Sequence, residues 1–254
     1  MQLIDSHCHL DFPEFDNDRG ELIESCKQQG ITKFIVPGVT AATWQRLQQL
    51  VVTHEECLPA YGLHPYFIEE HESSDIDALE KLIKTHPPIA VGEIGLDYYL
   101  KDLDKQKQQD FFHAQLDLAK KFNLPVILHV RKAHDDVLLA LRKYKVNGGI
   151  AHAFNGSFQQ AKQYMELGFK LGFGGALTFE NANHLRRLVE DLPLDSIVLE
   201  TDSPDMRPVN YTSSRNTPLT ILSVLDALTG LRSESKDQIA KQTSDNVAKL
   251  FSLY

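Results

Sequence analysis

Short runs of apolar residues alternate along the chain with longer segments in which apolar residues recur at helical spacing. The apolar runs lie at residues 3–7, 34–36, 60–63, 89–92, 126–128, 149–151, 169–173 and 197–199. The segments predicted as helices lie near residues 19–29, 42–54, 75–85, 104–122, 134–144, 157–167, 181–190, 218–229 and 235–251. Most of the short runs are almost continuously apolar, which is typical of parallel strands buried on both faces.

A strand followed by a helix, repeated eight times, predicts a closed parallel α/β barrel, the TIM (β/α)8 fold, as a single domain over residues 1–254. The alternative is an open, doubly wound sheet. Such a dinucleotide-binding sheet usually carries Gly-x-Gly-x-x-Gly directly after an early strand, and the sequence lacks this motif there. The pattern therefore favours the barrel.

The composition is that of an ordinary globular protein, and its charge is acidic. Lys and Arg number 26 against 35 Asp and Glu, a formal net charge of -9, which argues against a broad positive surface for duplex nucleic acid. Three scattered cysteines are too few for a disulfide framework or a cysteine zinc cluster. Because no apolar run is long enough for a membrane span and no secretory signal is visible at residues 1–5, we expect a soluble, cytoplasmic protein with no membrane contact and no obligate protein partner.

Ionisable residues follow most of the predicted strands. In a parallel barrel, chemistry gathers at the carboxyl ends of the strands, so these positions are candidate site residues. The residues at or just beyond the strand ends are Asp5, His7, His9, His64, Glu93, Asp97, His129, His152, Glu200 and Asp202. A histidine at the end of four separate apolar strands indicates a binding site.

His7 and His9 are two residues apart at the end of the first predicted strand. On a strand of period two, both imidazoles project from the same face, where they can share one cation. Cys8 then points the other way, and we expect it to be a small buried residue and not a ligand.

Histidine and carboxylate side chains are numerous enough here for two divalent ions. Mixed nitrogen and oxygen donors admit Mg²⁺, Mn²⁺ or Zn²⁺. Glu93, between the His7/His9 pair and the His129/His152 pair in strand order, is the best candidate for a carboxylate that bridges both ions. Asp202 is expected to ligate one ion and to accept a proton from bound water, whose pKa a metal lowers from 15.7 to about 7. The predicted reaction class is hydrolysis, with Glu93 and Asp202 as catalytic residues.

Five stretches resemble the TatD-type metal-dependent deoxyribonucleases, in particular their YjjV-like branch. They are Asp5-Ser6-His7-Cys8-His9-Leu10, Gly62-Leu63-His64-Pro65, Gly92-Glu93-Ile94-Gly95-Leu96-Asp97-Tyr98, Pro125-Val126-Ile127-Leu128-His129 with Arg131, and Leu199-Glu200-Thr201-Asp202-Ser203-Pro204. The resemblance implies an amidohydrolase-like TIM barrel and hydrolysis of DNA phosphodiesters. It also implies two divalent ions held by His7, His9, Glu93, His129, His152 and Asp202. His64 and Arg131 would line the site and contact a phosphate or orient the ligands.

Two loops depart from the family pattern. After the sixth strand the chain has His152-Ala153-Phe154-Asn155-Gly156 where His-Cys-Phe-Ser-Gly is usual. After the eighth strand, Arg215-Asn216-Thr217-Pro218 lacks the carboxylate of the usual Arg-Asn-Glu-Pro. Both changes leave the predicted metal ligands in place and bear on which substrate is cleaved.

The substrate favoured by these features is DNA or a small phosphodiester, with single-stranded ends preferred. Arg131 or Arg215 offers bidentate contact to a phosphate oxygen. Unpaired bases would stack on loop aromatics, for which the candidates are Tyr66, Phe67, Tyr98, Tyr99 and Phe154. The alternative is hydrolysis of a small carboxylic ester, lactone or amide at the same dinuclear site. A non-catalytic binding protein fits less well, because unneeded polar groups are costly to bury.

Overall fold

The computed structural model describes residues 2–253. The strands are β1 (Leu3–Asp5), β2 (Ile31–Pro37), β3 (Cys57–Tyr61), β4 (Ala90–Asp97), β5 (Val126–Arg131), β6 (Gly149–Ala151), β7 (Phe169–Phe173) and β8 (Ile197–Leu199). The α-helices are α1 (Arg19–Gln28), α2 (Trp44–Thr53), α3 (Ser74–Thr85), α4 (Lys105–Lys121), α5 (His134–Tyr144), α6 (Phe158–Glu166), α7 (Asn183–Asp191), α8 (Ile221–Thr229) and α9 (Lys236–Leu250). Short 3-10 helices lie at Pro13–Phe15, Pro65–Glu70, Gly175–Thr178, Leu194–Ser196 and Pro218–Thr220.

The strands form one eight-stranded sheet in the order β1 to β8, and the strand pairs whose register is resolved are parallel. A helix follows every strand. The residues that follow β1 also contact those of β8, since the Ser6 amide donates to the Leu199 carbonyl (3.0 Å) and the Asp202 amide to the His7 carbonyl (2.9 Å). This is the (β/α)8 arrangement of a TIM barrel, and the predicted fold class is confirmed.

Two strand ends differ from the prediction. The period-two argument for His7 and His9 is wrong, because β1 ends at Asp5. Beyond it, successive amides bond to different neighbours, Cys8 to the Ile35 carbonyl (3.1 Å) and His9 to the Ser203 carbonyl (2.8 Å). Glu93 lies inside β4 and not at its end. It lies between Val91 and Ile94, where the pairing of β4 with β5 shifts register.

Residue contacts divide the chain into two compact units. The first contains the residues up to Val36 and those from Lys170 onward. Its strands β1 and β8 are buried throughout, and α9 packs against both of them. Asn246 of α9 donates its side-chain amide to the carbonyls of Leu194 (2.9 Å) and Ile197 (2.7 Å), so this helix is also joined to the start of β8 by polar contacts. The single-domain assignment stays a prediction.

The second unit, Pro37–Phe169, contains β3 to β6 and α2 to α6. All eight residues of β4 are buried. Gly95 lets β4 approach β5 closely, since its φ is +148° and a Cβ atom there would lie 1.9 Å from the His129 carbonyl oxygen. The strand that carries Glu93 is therefore packed directly against the strand that carries His129.

The described part of the chain, residues 2–253, contains no helix that is both long and apolar enough to cross a membrane.

Candidate metal centre

Two imidazoles and one carboxylate meet just beyond β1 and β8, within the first unit. His7 Nε2 lies 3.3 Å from His9 Nε2 and 3.5 Å from Asp202 Oδ1. His9 Nε2 lies 3.6 Å from the same carboxylate oxygen. Both histidines are buried, and Asp202 is partly exposed. We call His7, His9 and Asp202 the first donor group.

The spacing of these three atoms fits a divalent cation. The point equidistant from the three atoms lies about 2.0 Å from each, which is the usual distance of nitrogen and carboxylate oxygen ligands from zinc. Manganese and nickel accept the same mixture of donors. Two imidazole nitrogens and a carboxylate converging on one point are therefore a chemically suitable metal site.

Asp5 connects the two segments that carry the first donor group. Its carboxylate is fully buried and accepts hydrogen bonds from the amides of His7 (3.3 Å) and Thr201 (3.0 Å) and from the Thr201 hydroxyl (2.6 Å). Burial raises the pKa of Asp5 to about 8, against the opposing effect of the Thr201 hydrogen bond. In the sequence Asp5 is visible only as an acid at a strand end, two residues before His7, because its connecting role depends on contacts with the distant Thr201.

A second cluster lies within the second unit, around Glu93. Glu93 Oε1 lies 3.1 Å from His64 Nε2 and 3.2 Å from His129 Nδ1. The Glu93 side chain is 2% exposed. A ring nitrogen of His152, which follows β6, lies within 4.8 Å of a Glu93 carboxylate oxygen. We call His64, Glu93 and His129 the second donor group. The structure thus brings three predicted site residues together here, with His152 near them.

Asp97 orients the imidazole of His129. Its Oδ2 lies 3.1 Å from His129 Nε2, on the side of the ring opposite to Glu93, so Nδ1 is the nitrogen directed at Glu93. Burial acts to raise the pKa of Asp97, but the His129 hydrogen bond and charge, with the amides of Tyr99 and Leu100, outweigh it and the pKa lies below its ordinary value. A carboxylate behind a histidine ligand is a recurrent feature of metal sites. The sequence shows Asp97 as an acid at a strand end, and its contact with His129 is visible only in the fold.

We expect Asp97→Asn to weaken metal binding and hydrolysis by about 10- to 100-fold, because the amide cannot replace the charged partner of His129. The dissociation constant for Zn²⁺, measured by competition with a chromogenic chelator, checks this. Asp102→Asn, at an exposed position in the following loop, is the matched control. An unchanged zinc affinity in Asp97→Asn would show that Asp97 does not tune the site.

His64 has a defined hydrogen-bonding role. Its Nδ1 accepts a hydrogen bond from the Tyr66 amide (3.0 Å), so in the neutral ring the proton sits on Nε2. That proton is donated to Glu93 Oε1. His64 therefore lies in the site, as the sequence analysis expected, and acts there as a hydrogen-bond donor to a carboxylate.

The two arginines assigned to substrate binding have different surroundings. Arg131 is exposed, its guanidinium lies 3.9 Å from the centre of the Tyr99 ring, and its Nη1 lies 3.9 Å from Asp97 Oδ2. Arg215 is bonded to the Asp18 carboxylate and the Glu14 carbonyl within the first unit. Arg131 thus lies near the second donor group with its charge accessible, whereas the Arg215 guanidinium is held by neighbouring loop residues. Their contact with substrate stays a prediction.

The loop aromatics also differ in accessibility. Tyr66 and Tyr99 are each 54% exposed, so both can offer a ring face to a ligand. Phe154 is 2% exposed and packs against His134 and Tyr164, so the expectation that it stacks on a base is wrong. The Phe154 ring is part of the packing beneath the β6–α6 loop, where an apolar side chain is stabilised by burial.

Comparison with known proteins finds relatives along nearly the whole chain. The family model described as TatD related DNase matches residues 4–252. The uncharacterized metal-dependent hydrolase YjjV of Escherichia coli K12 is 37% identical over 255 residues, covering 99% of this chain and 98% of that protein. The 3'-5' ssDNA/RNA exonuclease TatD of Pantoea ananatis is 31% identical, covering 99% of this chain and 100% of that protein.

The fold also matches a solved relative. The crystal structure of YjjV from Escherichia coli has a TM-score of 0.95 and 38% sequence identity to this chain, with 98% of each chain covered. The (β/α)8 order of the strands and helices matches that of this relative. The chain therefore belongs to the TatD family and is a metal-dependent hydrolase.

Proposed function

We propose that this protein hydrolyses phosphodiester bonds of DNA, with a preference for single-stranded ends, using two divalent ions. The observation that carries the proposal is the first donor group, whose three ligand atoms surround a point about 2.0 Å from each, at the distance expected for a bound cation. Glu93 and His129 of the second donor group, with His152, would supply ligands for a second ion, while His64 holds Glu93 through its hydrogen bond. The relative from Pantoea ananatis named as a single-strand exonuclease supports the choice of substrate.

Divalent ions, when bound, polarise the phosphoryl oxygen and make hydroxide available at neutral pH. Within the first donor group, the Asp202 carboxylate would ligate an ion through Oδ1 and would also accept the proton of the attacking water. Within the second, His64 and Asp97 hold Glu93 and His129 in fixed orientations through hydrogen bonds of 3.1 Å each. The bridging role of Glu93 between the two ions is part of this proposal.

The substrate would be held by side chains of the second unit. Arg131, with its guanidinium stacked on Tyr99, is available for two hydrogen bonds to a nonbridging phosphate oxygen pair. The exposed rings of Tyr66 and Tyr99 suit stacking on unpaired bases, which is tolerant of sequence. The net charge of -9 favours a short single-stranded end, held by few contacts, over a duplex.

We expect cleavage of a short single strand to fall steeply with salt. If two or three cationic side chains contact phosphates, the logarithm of kcat/KM plotted against the logarithm of salt concentration has a slope of about -1.4 to -2.1. A neutral nitrophenyl ester, assayed with the same enzyme and metal, gives a slope near zero and is the control. The comparison is made with Mg²⁺, Mn²⁺ and Zn²⁺ in turn. Turnover of the ester with no cleavage of DNA would favour a small-ester hydrolase and overturn the nuclease proposal.

A further inference from the structure

Helix α4 carries two buried glutamines that the metal chemistry does not use. Gln108 is 1% exposed and Gln115 is fully buried. They are seven residues apart, close to two helical turns, so they project from the same face of α4. The rest of that face includes Phe111 and Phe112. A polar amide in apolar surroundings is costly unless its hydrogen bonds are made.

Each glutamine makes two hydrogen bonds with the backbone of one residue. Gln108 Oε1 accepts from the Asp97 amide (2.8 Å), and its Nε2 donates to the Asp97 carbonyl (3.1 Å). Gln115 Oε1 accepts from the Leu63 amide (2.7 Å), and its Nε2 donates to the Leu63 carbonyl (3.2 Å). We call these the Gln108 contact and the Gln115 contact. A carboxamide side chain offers an acceptor and a donor in one plane, which suits such a pair of hydrogen bonds.

Each contact is connected to the second donor group through one residue, Leu63 or Asp97. Leu63 directly precedes His64, whose Nε2 donates to Glu93 Oε1. Asp97 binds His129 Nε2, and the other nitrogen of that ring faces the same Glu93 oxygen. The Gln115 contact therefore holds the backbone that directly precedes His64. The Gln108 contact holds the backbone of Asp97, whose side chain contacts His129.

We propose that Gln108 and Gln115 are positioning residues of the metal centre, which set His129 and His64 against Glu93 through the backbones of Asp97 and Leu63. This inference rests on the proposed function only in taking the second donor group as a metal site. Neither glutamine touches the metal ligands through its own side chain in the contacts described above. Their effect on the metal is transmitted through hydrogen bonds.

The test replaces each glutamine by methionine, which has a similar length and volume but no amide. Gln108→Met and Gln115→Met are expected to bind Zn²⁺ about 10- to 100-fold more weakly than the native protein, because misplaced partners of ligands reduce metal affinity by this factor. The visible spectrum of the Co²⁺-loaded protein is expected to change, since it reports ligand geometry. In the metal-free protein, amide hydrogen exchange at Leu63 or Asp97 is expected to become faster.

Leu118→Ala is the matched control, because it removes buried packing from the same helix and leaves both amides in place. It should lower the Tm and leave the zinc affinity and the Co²⁺ spectrum unchanged. All variants are measured at a temperature at which circular dichroism shows them to be folded. A methionine variant with native zinc affinity and spectrum, or a control with the same loss, would overturn the proposal.

The outcome is separable from that of the proposed function. If the native protein binds Zn²⁺ but does not cleave phosphodiesters, the nuclease proposal fails, and zinc affinity and spectrum still test the glutamines. Where the native protein is active, kcat for a nitrophenyl phosphodiester should fall in the methionine variants while KM stays close to native. A methionine variant that does not fold at any temperature would assign that glutamine a purely structural role and overturn the proposal for it.

Discussion

Replacing Glu93 with glutamine is expected to lower kcat/KM for a phosphodiester by at least about 10³-fold and to release both metal ions. The carboxylate is 2% exposed and faces two imidazole nitrogens through a single oxygen, Oε1. A neutral amide keeps the shape of the side chain but loses its charge, and it binds a second cation poorly. Metal content by elemental analysis and kcat/KM with a nitrophenyl phosphodiester measure the two effects.

Glu69→Gln, at an exposed position in the 3-10 helix Pro65–Glu70, is the control and should retain both ions and full activity. Loss of one ion only in Glu93→Gln would overturn the bridging role and leave a single-ion role for this carboxylate. Native metal content in that variant would contradict the assignment of the second donor group as a metal site.

Replacing His129 with alanine is expected to reduce turnover by at least about 10³-fold and to lower the stability of the metal-free protein by about 1–3 kcal/mol. The first effect follows from the loss of a ligand. The second arises because His129 lies between two carboxylates, Glu93 and Asp97, which are buried and lose a hydrogen-bonding partner. Activity is measured with saturating Mn²⁺, and stability by urea unfolding with chelator present.

His86→Ala, an exposed histidine after α3, provides the comparison for the removal of an imidazole. It should change neither turnover nor the urea midpoint. Activity of His129→Ala within tenfold of native would show that this histidine is not a ligand. A native urea midpoint in the metal-free variant would show that the contacts with Glu93 and Asp97 contribute little to stability.

The arrangement of strands and helices could be predicted from the sequence because each element has its own local pattern. The parallel strands are mostly buried, as their apolar runs predict. Helices α5 and α7 begin and end within two residues of the amphipathic segments predicted from the sequence. Strand ends were harder to predict. The end of β1 depends on which neighbour accepts the amides of Ser6 and Cys8, and no local pattern contains that information.

The metal donors could be recognised from residue type, but their supporting contacts could not. Histidines after apolar strands are a local signal, and the carboxyl ends of parallel strands lie at one end of a sheet. By contrast, Gln115 contacts a backbone 52 residues away, and Gln108 looks in sequence like any polar residue of α4. Residues that act through distant backbone groups become visible only when the chain is folded.

The hydrogen bonds between Asp5 and Thr201 join the two distant segments that carry the first donor group. They join residues 196 positions apart, so the loop that must close before His7 and Asp202 meet contains most of the chain. A nascent chain emerging from the ribosome has both histidines early and lacks the carboxylate until the segment after the eighth strand has been made. Capture of a cation by all three ligands is thus restricted to chains synthesised beyond the eighth strand.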